Sequence, residues 1–123
     1  MTLPTWEEDG LKASAWTTCG AAFRDKYELD EAESCAFKAI ELEETFYPHR
    51  LLGAIYWMGD EHQRGLSHFD RACELDCNCI SPSRQIESEV RQLKAHDYDA
   101  ARRAAAYLFD RDPIAFSWAE KYC

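Results

Sequence analysis

Apolar residues recur at steps of three and four along most of the chain, and short polar or Pro/Gly-bearing breaks separate the runs. Leu11, Ala15, Trp16, Cys19, Ala22 and Phe23 mark a first helix from about Trp6 to Lys26. Thr5 and Glu8 of "TWEE" fit a capping box at its start. The polar "DKYELD" breaks the pattern, and Asp30 is placed to cap a second helix that reaches about Glu43 and turns Ala32, Cys35, Ala36, Ala39 and Ile40 inward. Pro48 suits the first turn of a third helix, which runs to Met58 and ends at Gly59-Asp60. A fourth spans about Glu61 to Leu75, with Leu66, Phe69, Ala72 and Cys73 on one face. Beyond the loop "DCNCISPS", Ser81 or Ser83 caps a fifth helix from about Pro82 to Ala95 through Ile86, Val90 and Leu93. A sixth covers about Tyr98 to Phe109, and Pro113 opens a short terminal helix with Ile114, Phe116, Trp118 and Tyr122. No strand-period alternation competes, so the expected class is all-α.

Two of these helices echo each other. Lys38-Ala39-Ile40-Glu41-Leu42-Glu43 lies over Arg71-Ala72-Cys73-Glu74-Leu75-Asp76 at an offset of 33 residues. A period of that length is the signature of a repeat built from helical hairpins. Trp16, Cys19, Gly20, Phe23, Ala32 and Ala39 in the first pair, and Leu52, Gly53, Tyr56, Gly65, Phe69 and Ala72 in the second, stand where the tetratricopeptide pattern places its small and large residues. Small residues at a helix crossing let the backbones approach, and large ones fill the flanks. The chain therefore resembles the tetratricopeptide repeat family. Repeat 1 covers about 13–45, repeat 2 about 46–78 and a degenerate repeat 3 about 82–112, with a capping helix at about 113–123, in one domain. His49 replaces the usual early Trp of the second unit, and Val90 stands where the third should have Gly.

Composition agrees with helices: the 123 residues include only four Pro and five Gly, while four Trp, six Tyr and six Phe provide core material that a disordered chain lacks. The net charge is −9 and lies entirely in residues 1–81, which hold 16 acids against 7 bases, whereas residues 82–123 hold 7 of each. Nucleic-acid binding calls for a basic footprint, so no nucleic-acid partner is expected. No apolar run approaches a membrane span, and the acidic start is unlike a signal peptide, which points to a cytoplasmic protein without a membrane partner. The six cysteines then read as free thiols, mostly buried. Cys73, Cys77 and Cys79 lack the C-x2-C spacing of a structural zinc site, and His62 and His68 lack the i, i+4 spacing of a helical metal pair, so neither metal nor cofactor is expected.

No phosphate loop, H-E-x-x-H or G-x-S-x-G is present, and the chain reads as a non-enzyme. The resemblance implies a scaffold whose concave face, lined by the first helix of each hairpin, holds a peptide of another protein, as an adaptor or chaperone. Carried over position by position, that face presents Arg24, Tyr47, Arg50, Trp57, Arg84, Arg91 and Lys94. Arg, Tyr and Trp dominate interface energetics. The alternative is an acidic stoichiometric inhibitor, immunity- or antitoxin-like, that presents Glu28, Glu31, Glu41, Glu43 and Glu44 to a basic target and gains association rate by electrostatic steering. A third option is a homodimer that buries Trp6, Phe116 and Trp118 between copies.

Overall fold

The computed structural model describes residues 5–123, and among them every regular element is helical. Six α-helices follow in order: α1 Thr5–Asp25, α2 Leu29–Leu42, α3 Phe46–Met58, α4 His62–Leu75, α5 Pro82–His96 and α6 Tyr98–Arg111. A 3-10 turn, Ser117–Tyr122, closes the chain. Neighbouring helices pair as a stack of hairpins, α1 along α2 and α3 along α4, while α5 meets α6 over a shorter stretch.

The first two hairpins repeat in their backbone geometry at the offset found in the sequence. Tyr27 and Asp60, 33 positions apart, both take a left-handed conformation, with φ of 62° and 61°. Non-glycine residues adopt it rarely, and here it closes each first helix by the same six-to-one bond. The Glu28 amide donates to Phe23 O at 2.9 Å, and the Glu61 amide to Tyr56 O at 2.8 Å. α2 and α4 then begin one residue further on, and each runs for 14 residues. Asp30 accordingly lies inside the first turn of α2 rather than at its cap, where its charge complements the helix dipole. The third hairpin turns differently: Asp97 alone ends α5 and caps α6, its carboxylate accepting from the Ala100 amide at 3.1 Å.

Close approach of α3 and α4 depends on two glycines that face aromatic rings. A Cβ on Gly53 would stand 2.6 Å from the Phe69 ring, and one on Gly65 would collide with the Trp57 indole. α3 is the central helix. Leu52, Ile55 and Tyr56 join Ala32 and Ala36 of α2 in one core cluster. Trp57 and Met58 join Phe69, Ile86, Val90, Leu93, Leu108 and Phe116 in another.

Several expectations are corrected. α3 starts at Phe46, which leaves Pro48 still within the first turn, where its missing N–H costs nothing. Pro113 opens no helix: the Asp112 carboxylate accepts from the Ile114 and Ala115 amides, and this turn delays the next element to Ser117. On α1 the buried positions are Ala13 and Gly20, whereas Leu11 is 62% exposed and Ala15, Cys19 and Ala22 face solvent. α1 is the outer helix of the stack, so only the side that meets α2 and α3 is covered. Phe116 is buried within its own chain, which removes it as an exposed dimer contact, and Trp118 is half-buried; the side chains of Thr5 and Trp6, and with them the capping box, lie outside the described residues. The free-thiol reading also changes: Cys73 and Cys79 form a disulfide, Cys35 is buried, and Cys19, Cys77 and Cys123 are exposed. The sulfurs meet because the loop after α4 folds back on the helix end.

Candidate functional site

A trough runs across α1, α3 and α5. Its middle, about 240 Å³, is lined by Thr17, Ala21 and Arg24 of α1, by Tyr47, Arg50, Leu51 and Ala54 of α3, and by Glu89 and Gln92 of α5. The spacings are those of one helical face, with Thr17, Ala21 and Arg24 separated by four and three, and Tyr47, Arg50 and Ala54 by three and four. Through Arg24, Ala54, Glu89 and Gln92 it continues into a narrower notch of about 100 Å³ that ends at Tyr27, Met58 and His96. At the other end Thr17 and Tyr47 lead to a wider bay of about 350 Å³ that also touches Gly10, Ser14 and Glu43. From Gly10 to Asp25 the trough follows α1 for roughly 22 Å, the length of six or seven extended residues.

Its charges are paired. Arg50 Nε donates to Glu89 Oε1 at 2.6 Å, and Gln85 Nε2 donates to the same oxygen at 3.2 Å. Glu89 is only 7% exposed, and burial pushes its carboxyl above the usual range, against the opposing pull of Arg50. Both bonds use Oε1, so Oε2 is the carboxylate's remaining acceptor. Arg24 holds Asp25 Oδ1 through Nε at 3.2 Å and Nη2 at 3.0 Å. The trough floor is thus a neutral, hydrogen-bonding surface rather than a cationic one. Tyr47, 58% exposed, stands at the rim, and Glu43 at the end of the bay has no ion-pair partner among the described residues.

Of the side chains expected to share one face, the structure brings together Arg24, Tyr47 and Arg50. Trp57 is fully buried: its indole lies over Gly65, packs on Phe69 and donates to His62 O at 3.2 Å, so it is removed from the binding surface. Arg84 and Arg91 lie in a separate basin on another flank of α5. Lys94 sits in a cleft with Tyr98 and Tyr122, 5.7 and 5.6 Å from their ring centres. Glu89, Gln92 and His96 were not anticipated, because the register of the first two hairpins was extended to α5. The apolar set Ile86, Val90 and Leu93 carries the signal: Glu89 is next to it on the helical wheel, which points to a buried carboxylate in need of a partner.

On the acidic side Glu28, Glu31 and Glu41 are exposed, and Glu43 faces the trough. Glu44 is exposed as well, but its carboxylate is already engaged. Arg71 Nη2 donates to its Oε1 at 2.6 Å and His49 Nε2 to its Oε2 at 2.9 Å, and these bonds, Arg71's first, keep its carboxyl below the usual range. With its Nε2–H given to Glu44, His49 turns Nδ1 toward His68 Nδ1 across 3.0 Å, where it is placed to accept. His68 is stacked on Tyr56, and burial, then His49, lower its pKa to about 4. Among the described residues no cluster of three His, Cys, Asp or Glu is arranged to hold a metal, and no helix is long and apolar enough to cross a membrane. Comparison with known proteins found no matching family model, curated protein or solved structure.

Proposed function

We propose that the protein is a non-enzymatic interaction module of tetratricopeptide type that seats a segment of a partner protein in the trough across α1, α3 and α5, as an adaptor or chaperone does. The observation that carries this reading is the trough itself: three hairpins contribute their first helices to one continuous concavity about 22 Å long. The turn geometry repeated at Tyr27 and Asp60 supports the family resemblance. The paired floor changes the partner's expected chemistry. Rather than an acidic peptide, the trough suits an extended segment that offers backbone donors and acceptors to Glu89 Oε2, Gln92 and Thr17, with an aromatic or aliphatic side chain beside Tyr47 and a basic residue near Glu43.

Ala54 is half-buried on the trough floor, so Ala54→Trp fills it without entering the core. Partners captured from the source-cell lysate by the full chain and by Ala54→Trp, quantified by mass spectrometry, test the reading. A stoichiometric partner depleted at least tenfold by Ala54→Trp, at unchanged thermal stability, is the expected result; a partner retained equally overturns it. Glu28, Glu31 and Glu41 keep the inhibitor reading alive, because none has an ion-pair partner among the described residues. Charge reversal of Glu31 and Glu41 is therefore the parallel arm. Loss of a basic partner there, with Ala54→Trp silent, moves the function to the acidic face of α2.

A further inference from the structure

A second surface, independent of the trough, lies where α5 meets the terminal 3-10 turn. Arg24, Arg50, Arg64, Arg71 and Arg103 each hold a carboxylate. Arg84 and Arg91 hold none among the described residues, although the chain carries nine more acids than bases. They are exposed on one face of α5 two turns apart, about 10.5 Å in helical rise, with Ser88 between them. Together with Ser81, Ser83, Glu87 and Trp118 they line an open basin of about 610 Å³. The acid in that lining is already neutralised, since Glu87 Oε2 accepts from Lys121 Nζ at 3.0 Å. The far wall is fixed: Trp118 Nε1 donates to Ser83 Oγ at 2.9 Å, and Ser83 in turn donates to Ala115 O at 2.6 Å. The basin therefore presents two uncompensated guanidinium groups and a hydroxyl on a held frame.

We infer that this basin binds a phosphate monoester carried on a side chain of a partner protein. Two guanidinium groups match the charge of a dianion, whereas one carboxylate satisfies only one of them, and the planar forks of arginine suit the oxygens of a phosphoryl group. The basin is too open to enclose a small molecule, whose sites bury most of the ligand surface, so the group must arrive on a larger body that supplies further contact.

The test uses a short phosphoserine peptide, its unphosphorylated form and its Ser→Glu form, titrated into the isotope-labelled full chain at fixed ionic strength with NMR detection. Saturable shifts confined to Ser81–Arg91 and Trp118 are expected with the phosphopeptide, with affinity at least fivefold weaker for the Glu form. Arg84→Ala and Arg91→Ala should each weaken binding about fivefold, and Arg84→Lys less, because it keeps charge but loses the fork. Arg102→Ala, an exposed arginine outside the basin, should change nothing. Lowering the pH from 7.5 to 5 should weaken the phosphopeptide as its second proton returns near pH 6, and leave the Glu form almost unaffected. No saturable shift, equal affinity for the Glu form, or equal loss in Arg102→Ala would overturn the inference. Phenyl phosphate binding as tightly as the peptide would overturn the assignment to a partner-borne phosphate.

Discussion

Replacing His68 by Asn should remove a defined part of the protein's acid sensitivity. His68 sits against His49, Tyr56, Phe37, Arg64 and Glu33, and its imidazole is held neutral with a pKa lowered to about 4 from 6.5, mainly by burial. A histidine whose folded-state pKa is depressed contributes stability that is present above its unfolded pKa and is lost as pH falls toward the folded value. Between pH 7.5 and 4.5 the linkage relation with those two pKa values gives a loss of roughly 2–3 kcal/mol from this one side chain. Asn cannot ionise, and its amide keeps a donor near the position of Nδ1, so the His49 acceptor stays satisfied. Urea unfolding of both proteins at the two pH values separates this contribution from that of the carboxylates, which are common to both. The wild type should lose roughly 2–3 kcal/mol more than His68→Asn over that interval, and the His68 ring resonance should show little titration above pH 5. Equal losses in the two proteins, or a ring that titrates near 6.5, would refute the reasoning, because burial would then not be excluding the proton.

Two further outcomes follow from the disulfide and the trough. The Cys73–Cys79 bond closes a loop of sequence separation 6, for which the chain-entropy treatment gives roughly 2 kcal/mol; Cys73→Ser with Cys79→Ser should lower stability in urea by about that amount, and added reductant should do the same to the wild type but not to the variant. Arg50→Met leaves Glu89 buried without its cation and should cost about 2–3 kcal/mol at pH 7.5 and progressively less as the pH is lowered, because burial already raises this carboxyl, while adding Glu89→Gln should restore most of the loss. Fluorescence-detected denaturation of the three variants checks the order.

The expectation for the second hairpin was nearly complete in the residue pattern. Gly53, Tyr56, Gly65 and Phe69 are complementary in size, and that complementarity predicts which helices touch. Trp57 shows where the inference failed. Assigning it to an outward face used the register of the family resemblance, but the space above Gly65 accommodates an indole, and nothing local to residue 57 reveals that the ring turns toward it. α1 failed in a different way. It carries apolar residues on both sides, Ala13, Trp16 and Gly20 on one and Leu11, Ala15 and Cys19 on the other, so periodicity alone cannot choose which side meets α2.

The sequence by itself determined the number and approximate extent of the helices and the 33-residue spacing, because side-chain periodicity acts over a few residues. Only the tertiary structure decided which faces were buried, that Glu89 reaches Arg50 across 39 positions of chain, that Cys73 finds Cys79, and that Arg84 and Arg91 stand apart from Arg24 and Arg50. The places of Glu89, Arg84 and Arg91 depend on how α5 is set against α3. The turn before α6 contains only Asp97, unlike the left-handed turns of the first two hairpins, and α5 meets α6 over a shorter stretch, so the directions of side chains on α5 do not follow from the spacing of the first two hairpins.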